Sequence, residues 1–154
     1  MKEIILTTDG ACIGNPGPGG WACVLRYNGQ AKELSGSEPR TTNNRMELRA
    51  VIEGLQALKE PCIVTVRTDS QYLKHGMTQW IHSWKSHGWL HKVKGQGTQP
   101  VKNRDLWEAI DAETRRHQLR WQWVRGHAGD PDNNRCDLLA NAAARAISVR
   151  ANPL

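Results

Sequence analysis

Four acidic residues of this 154-residue chain, Asp9, Glu47, Asp69 and Asp137, lie inside or against apolar segments rather than on solvated faces. Asp9 ends the run Ile4-Ile5-Leu6-Thr7-Thr8, and Asp69 ends Ile63-Val64-Thr65-Val66-Arg67-Thr68. Both runs are rich in β-branched residues and read as short strands. Glu47 precedes the helical stripe Ala50, Val51, Gly54, Leu55, Leu58, and Asp137 leads into Ala140, Asn141 and Ala144. Each carboxylate therefore stands at the N-terminal end of a core-facing helical stripe. Carboxylates are rarely buried unless paired or metal-bound. Four of them, on two strands and two helices, point to one site for divalent cations.

Taken singly, each has an ordinary explanation. Asp9-Gly10 is a strong turn dipeptide. Asn44 and Glu47 have the spacing of a capping pair, with Glu47 at the third helical position. Asp69 could cap the segment Ser70-Gln71-Tyr72-Leu73-Lys74. Asp137 could be a first-turn acid favoured by the helix dipole. Only the grouping suggests chemistry.

The elements that must position these residues follow from the pattern of the chain. Strands are expected at about 3–9, 20–28 and 31–38, a helix near 43–59, and a strand near 62–68. Short helices through 70–88 and a loop at 91–100 come next. A helix near 102–117, a strand near 119–124, a loop and a helix near 134–147 complete the order. Strands joined by tight turns pair antiparallel, whereas strands separated by helices are parallel crossovers. The expected fold is α/β, a five-stranded mixed sheet flanked by helices. The length suits one domain, 1–147, with a short tail at 148–154.

Composition narrows the function. The formal charge of +6 and pI near 9.4 favour an anionic partner, nucleic acid ahead of membrane. No apolar stretch approaches the roughly 20 residues of a membrane span, and no signal peptide precedes the first strand. A cytoplasmic, monomeric protein is expected. Cys12, Cys23, Cys62 and Cys136 are dispersed, which argues against a zinc site and a disulfide framework. The glycine-rich segment Thr8 to Trp21 is no P-loop and no dinucleotide fingerprint, since neither Gly-Lys-Ser/Thr nor a helix follows. Ala11 stands where an aspartyl phosphatase would carry a second Asp.

Here the residues carry a resemblance. Thr8-Asp9-Gly10-Ala11-Cys12-Ile13-Gly14-Asn15-Pro16-Gly17, Thr41-Thr42-Asn43-Asn44-Arg45-Met46-Glu47-Leu48 and Thr68-Asp69-Ser70-Gln71-Tyr72 resemble the type-1 ribonuclease H family. The likeness continues through Thr78-Gln79-Trp80-Ile81-His82-Ser83-Trp84 and Pro100-Val101-Lys102-Asn103. It closes with Trp123-Val124-Arg125-Gly126-His127-Ala128-Gly129 and Asn134-Arg135-Cys136-Asp137. It spans nearly the whole chain and is nearest the bacterial single-domain members.

The resemblance implies a ribonuclease H-like fold and an endonuclease that hydrolyses the RNA strand of RNA/DNA hybrids. Products would carry 5′-phosphate and 3′-hydroxyl ends. Asp9, Glu47, Asp69 and Asp137 match the family's acidic metal-binding quartet, which holds two Mg²⁺ ions about 4 Å apart, with Mn²⁺ as a substitute. One ion activates water and the other stabilises the departing 3′ oxygen. His127 matches an auxiliary histidine that assists proton transfer or product release. Asn15, Asn43, Asn44 and Gln71 match substrate-contacting positions, with Cys12 nearby. Arg40 and Thr42 are candidates for a pocket holding a DNA phosphate.

Residues 74–104 interleave Lys74, Lys85, Lys92, Lys94, Lys102 and Arg104 with Trp80, Trp84 and Trp89. This mixture suits a nucleic-acid surface, with Trp80 a candidate contact and Trp84 expected to hold the projection against the body. The family's bacterial members carry a basic protrusion here. Two other readings stay open: a DNA nuclease, resolvase or integrase-like protein on the same sheet, and a catalytically silent hybrid-binding module.

Overall fold

In the computed structural model, which describes residues 1–125 and 129–151, three antiparallel strands come first: β1 (Glu3–Cys12), β2 (Gly17–Tyr27) and β3 (Gln30–Thr41). Helix α1 (Asn43–Gln56) crosses to β4 (Ile63–Thr68). Then follow α2 (Gln71–His75), a π-helical turn (Gly76–Trp80), α3 (Ile81–Ser86) and the strands β5 (Leu90–Val93) and β6 (Gly97–Pro100). Helix α4 (Arg104–Arg116), β7 (Gln118–Trp123) and α5 (Pro131–Ala151) close the order. The main sheet runs β3-β2-β1-β4-β7; β2 is antiparallel to both neighbours and β4 parallel to both. This is the mixed five-stranded sheet flanked by helices that the pattern predicts.

Alternation along β2 shows how the sheet is covered. Cys23 and Leu25 point into the larger core with Leu6, Val64 and Val66, beneath Leu48, Val51 and Leu55 of α1 and Trp107 and Ile110 of α4. Ala22 and Val24 point the other way, against Cys136 and Ala140 of α5. Small residues let α5 lie close: a Cβ on Gly20 would fall 2.1 Å from the Ala140 carbonyl oxygen.

Three boundaries depart from expectation, each for a local reason. The segment read as a loop over 91–100 is a hairpin, β5 paired with β6 from Leu90↔Pro100 to Val93↔Gly97. Gly95 and Gly97, at φ +78° and +71°, let it reverse. β1 continues past Asp9 to Cys12, so Asp9-Gly10 is strand, opposite Ala22 and Trp21. α5 begins at Pro131 rather than 134, because the Asp130 carboxylate accepts the amides of Asp132 (3.0 Å) and Asn133 (3.3 Å) and proline suits the first helical position. The projection after α2 is held by tilted, packed rings: Trp84 lies 5.3 Å from Trp107 and 5.7 Å from Trp80.

Candidate active site

β1 and β4 are parallel neighbours, with Thr7 level with Arg67. Asp9 and Asp69 each lie two residues beyond the last pair of that ladder. Glu47 arrives from α1, and Gly10 lets it approach. A Cβ on Gly10 would lie 2.5 Å from the Glu47 amide nitrogen and 2.6 Å from the Met46 carbonyl carbon. Only a residue without a side chain lets the two backbones meet there. One carboxylate oxygen each from Asp9, Glu47 and Asp69 consequently lies within 4.8 Å of the others.

Asp9 and Glu47 are 4% and 6% exposed, so like charges crowd together out of water. Asp9 Oδ1 accepts the Gly10 amide at 2.9 Å. Glu47 Oε2 is buried without a hydrogen-bond partner among the described residues. Burial, followed by the charges of Asp9 and Asp69, pushes the Glu47 carboxyl well above the ordinary carboxylate range; the Gly10 amide opposes this only in part. A buried carboxylate oxygen with no donor and an all-oxygen ligand set together fit a hard divalent cation.

The ordinary explanations do not survive. Asp9 is not in a turn but inside β1. Thr42, not Asn44, caps α1, accepting the Arg45 amide at 3.2 Å, which places Glu47 beyond the third helical position. Ser70, not Asp69, caps α2 through the Leu73 amide. Asp137 lies past the first turn of α5. It is exposed, its Oδ1 accepts from Asn141 Nδ2 at 3.2 Å, and it stands outside the group of three. His127 falls outside the described residues.

Around the start of α1 the candidate substrate contacts are linked to one another. Asn15 Oδ1 accepts the Asn43 amide at 3.0 Å, and the Cys12 thiol lies 3.5 Å from the carbonyls of Gly17 and Thr41. Asn15, Arg40, Asn44 and Gln71 are exposed, while Thr42 and Asn43 are half-buried. Trp80 sits among the rings of Tyr72, His75 and Trp84 at 6.1, 5.6 and 5.7 Å. Its half-buried place makes it as much a packing residue as a surface one. Pattern reading missed Gly10, although a glycine directly after a strand aspartate was visible. It also missed Arg45, which forks onto Asp105 of α4 with bonds of 3.0 and 2.8 Å and braces the helix carrying Glu47.

Known proteins share the sequence and the fold. The RNase H family profile matches residues 1–145. A ribonuclease H of Escherichia coli O9:H4 (strain HS) is 56% identical over 144 residues, covering 94% of this chain and 90% of the relative. One from Chelativorans sp. (strain BNC1) is 58% identical over 142 residues, covering 92% and 85%. Among solved structures, LC9-RNase H1, described as a type 1 RNase H with the type 2 active-site motif, is 34% identical at a TM-score of 0.82, covering 94% of this chain and 73% of that one. LC11-RNase H1 in complex with an RNA/DNA hybrid is 25% identical at a TM-score of 0.62, covering 93% and 97%. Agreement at this level, sustained along nearly the full length, means that the chain belongs to the ribonuclease H family, among its type-1 members.

Proposed function

We propose that this ribonuclease H, an endonuclease for the RNA strand of RNA/DNA hybrids, works through Mg²⁺ held by Asp9, Glu47 and Asp69 together with Asp137. The supporting observation is the convergence of three carboxylates at one sheet end, with one buried oxygen lacking a donor among the described residues. Hard oxygen ligands favour Mg²⁺, with Mn²⁺ as a substitute. When bound, a pair of such ions supplies charge to clamp the scissile phosphate, activate water and stabilise the leaving oxygen.

The chain's own residues do the rest. Asp9, Glu47 and Asp69 bring the negative charge that cations and phosphate must balance, and Gly10 and Arg45 keep that charge concentrated. Asp137 completes the set from α5. His127 assists proton transfer or product release. Asn15, Asn43, Asn44 and Gln71 sense the ribose side of the hybrid, with Cys12 beside them, and Arg40 and Thr42 take a phosphate of the DNA strand. Trp80 and the basic residues of 74–104 extend the contact. Products carry 5′-phosphate and 3′-hydroxyl ends. Residues 1–147 act as a single catalytic domain, monomeric and cytoplasmic. Among the described residues no helix is long and apolar enough to cross a membrane.

The test is cleavage of an end-labelled RNA/DNA hybrid by wild type and Asp9→Asn, with Mg²⁺ and with Mn²⁺. The expected result is loss of the RNA strand, abolished in the variant, with duplex DNA and duplex RNA spared. Hybrid binding without cleavage in either metal would instead favour a binding module.

A further inference from the structure

Asp137 lies on α5, a helix that packs over β2 and β1, whereas Asp69 follows β4. Asp132 and Arg135 tie α5 to Arg26 of β2 and Glu33 of β3; its tie to β4 is made just before its first turn. Asp130 pairs with Arg67 of β4 through Oδ2, and its Oδ1 accepts the first amides of α5, from Asp132 and Asn133. The two side chains are 22% and 20% exposed, so the pair is largely shielded from water. The Arg67 guanidinium, chiefly, holds the Asp130 carboxyl below its usual range, so that Asp130 stays ionised at neutral pH. The chain leaving β7 is tied to the neighbouring residue, with the Val124 amide donating to the Thr68 carbonyl at 3.0 Å. Positions 124 and 130 are thus both anchored to the two residues directly before Asp69.

Asp130 lies just before the first residue of α5, seven positions ahead of Asp137, and its carboxylate holds the first amides of that helix. What fixes Asp130 therefore fixes where the helix carrying Asp137 begins.

We propose that Arg67 and Asp130 are positioning residues: their ion pair sets the roll and register of α5 against β4 and thereby brings Asp137 to the three converged carboxylates. This assignment rests on the metal-binding role of the quartet. A merely stabilising ion pair would change unfolding but leave turnover by the folded enzyme alone.

The variants are Arg67→Gln, Arg67→Lys, Asp130→Asn and the double Arg67→Gln/Asp130→Asn. Asparagine keeps a side-chain oxygen for the α5 amides while removing the charge, so capping and pairing are separated. In Mg²⁺ with a matched hybrid, each charge-removing single variant should lower kcat about 5- to 20-fold with KM within about twofold. The double variant should be no worse than the poorer single, since the two residues act as one unit. Arg67→Lys should recover most of the loss. In the metal-free protein, amide exchange at Asn133 and Asn134 should accelerate in both singles. A kcat within about twofold of wild type, or losses that multiply in the double variant, would overturn the proposal. If wild type itself fails to cleave the hybrid, the metal assignment falls separately. Exchange then decides alone: unchanged rates at both amides would show that the pair does not fix α5.

Discussion

Glu47 is where electrostatics and stability oppose each other most directly. Its native carboxyl titrates well above 4.5, through burial and then the charges of Asp9 and Asp69. Between the unfolded value and the raised one, the native state binds more protons than the unfolded chain. The resulting stability is complete below 4.5 and is lost as pH rises through the native value. The metal-free enzyme should therefore weaken as pH rises, because two neighbouring carboxylates repel the charge that Glu47 acquires. Glu47→Gln removes that charge while keeping the shape. With chelator present, the variant should be more stable than wild type at neutral pH by about 0.5–2 kcal/mol, and the gap should close toward pH 4.5. Cleavage should fall by more than about a hundredfold, since even residues that merely orient metal ligands cost 10- to 100-fold. Thermal unfolding across pH measures the first effect and hybrid cleavage the second. A variant no more stable than wild type in chelator would show that the trio is not strained without metal.

Where elements meet, two contacts make predictions and also show what sequence could reveal. Gly10→Ala places a methyl against backbone rather than a flexible side chain, 2.5 Å from the Glu47 nitrogen, so β1 and α1 must separate. Overpacking of this kind costs about 1–3 kcal/mol by urea unfolding, and cleavage should drop beyond what that destabilisation explains. His117, whose side chain is fully buried, joins the end of α4 to the start of β4: its Nδ1 accepts the Cys62 amide at 3.0 Å, and its Nε2 faces the Leu55 carbonyl at 3.3 Å. Burial and then the Arg116 charge depress its pKa below 6.5, against the Leu55 carbonyl and Glu113. The unfolded chain then takes the proton first; stability is complete above 6.5 and is lost as pH falls through the native value. His117→Leu should cost about 1–3 kcal/mol at neutral pH by orphaning the Cys62 amide, and its unfolding curve should lose less than wild type on acidification. Element order was legible because apolar periodicity is local. Asp9, Glu47 and Asp69 were legible because carboxylates sat where apolar residues belong. The cap of α1 was not, since Thr41, Thr42, Asn43 and Asn44 are all polar candidates and the Asn15–Asn43 contact lies across the fold. The extent of β1 was not either: Asp-Gly reads as a turn until α1 is seen to need the missing side chain. Arg67 and Asp130 are 63 residues apart, and no local pattern joins them.

For the molecule as a whole, a net charge of +6 must act through its distribution. Lys85 is taken up by Asp111 and Arg104 by Glu108. Lys92 and Lys94 are exposed on the β5–β6 hairpin and make no ion pair among the described residues. That hairpin is a separate two-stranded sheet, so its charge can change without disturbing the sheet that carries the carboxylates. Affinity for a polyanion falls with salt in proportion to the phosphates neutralised, because each contact releases condensed counterion. Hybrid binding by Asp9→Asn, followed from about 50 to 200 mM salt, should give a steep log–log slope. Lys92→Ser and Lys94→Ser should each reduce its magnitude by about 1. Added to the otherwise wild-type enzyme, the same changes should leave kcat at saturating hybrid unaltered and raise KM, which separates substrate capture from turnover. A slope unchanged by both would mean that the hairpin carries its charge without touching substrate. Affinity would then rest on Lys74 and Lys102 and on the asparagines at the start of α1.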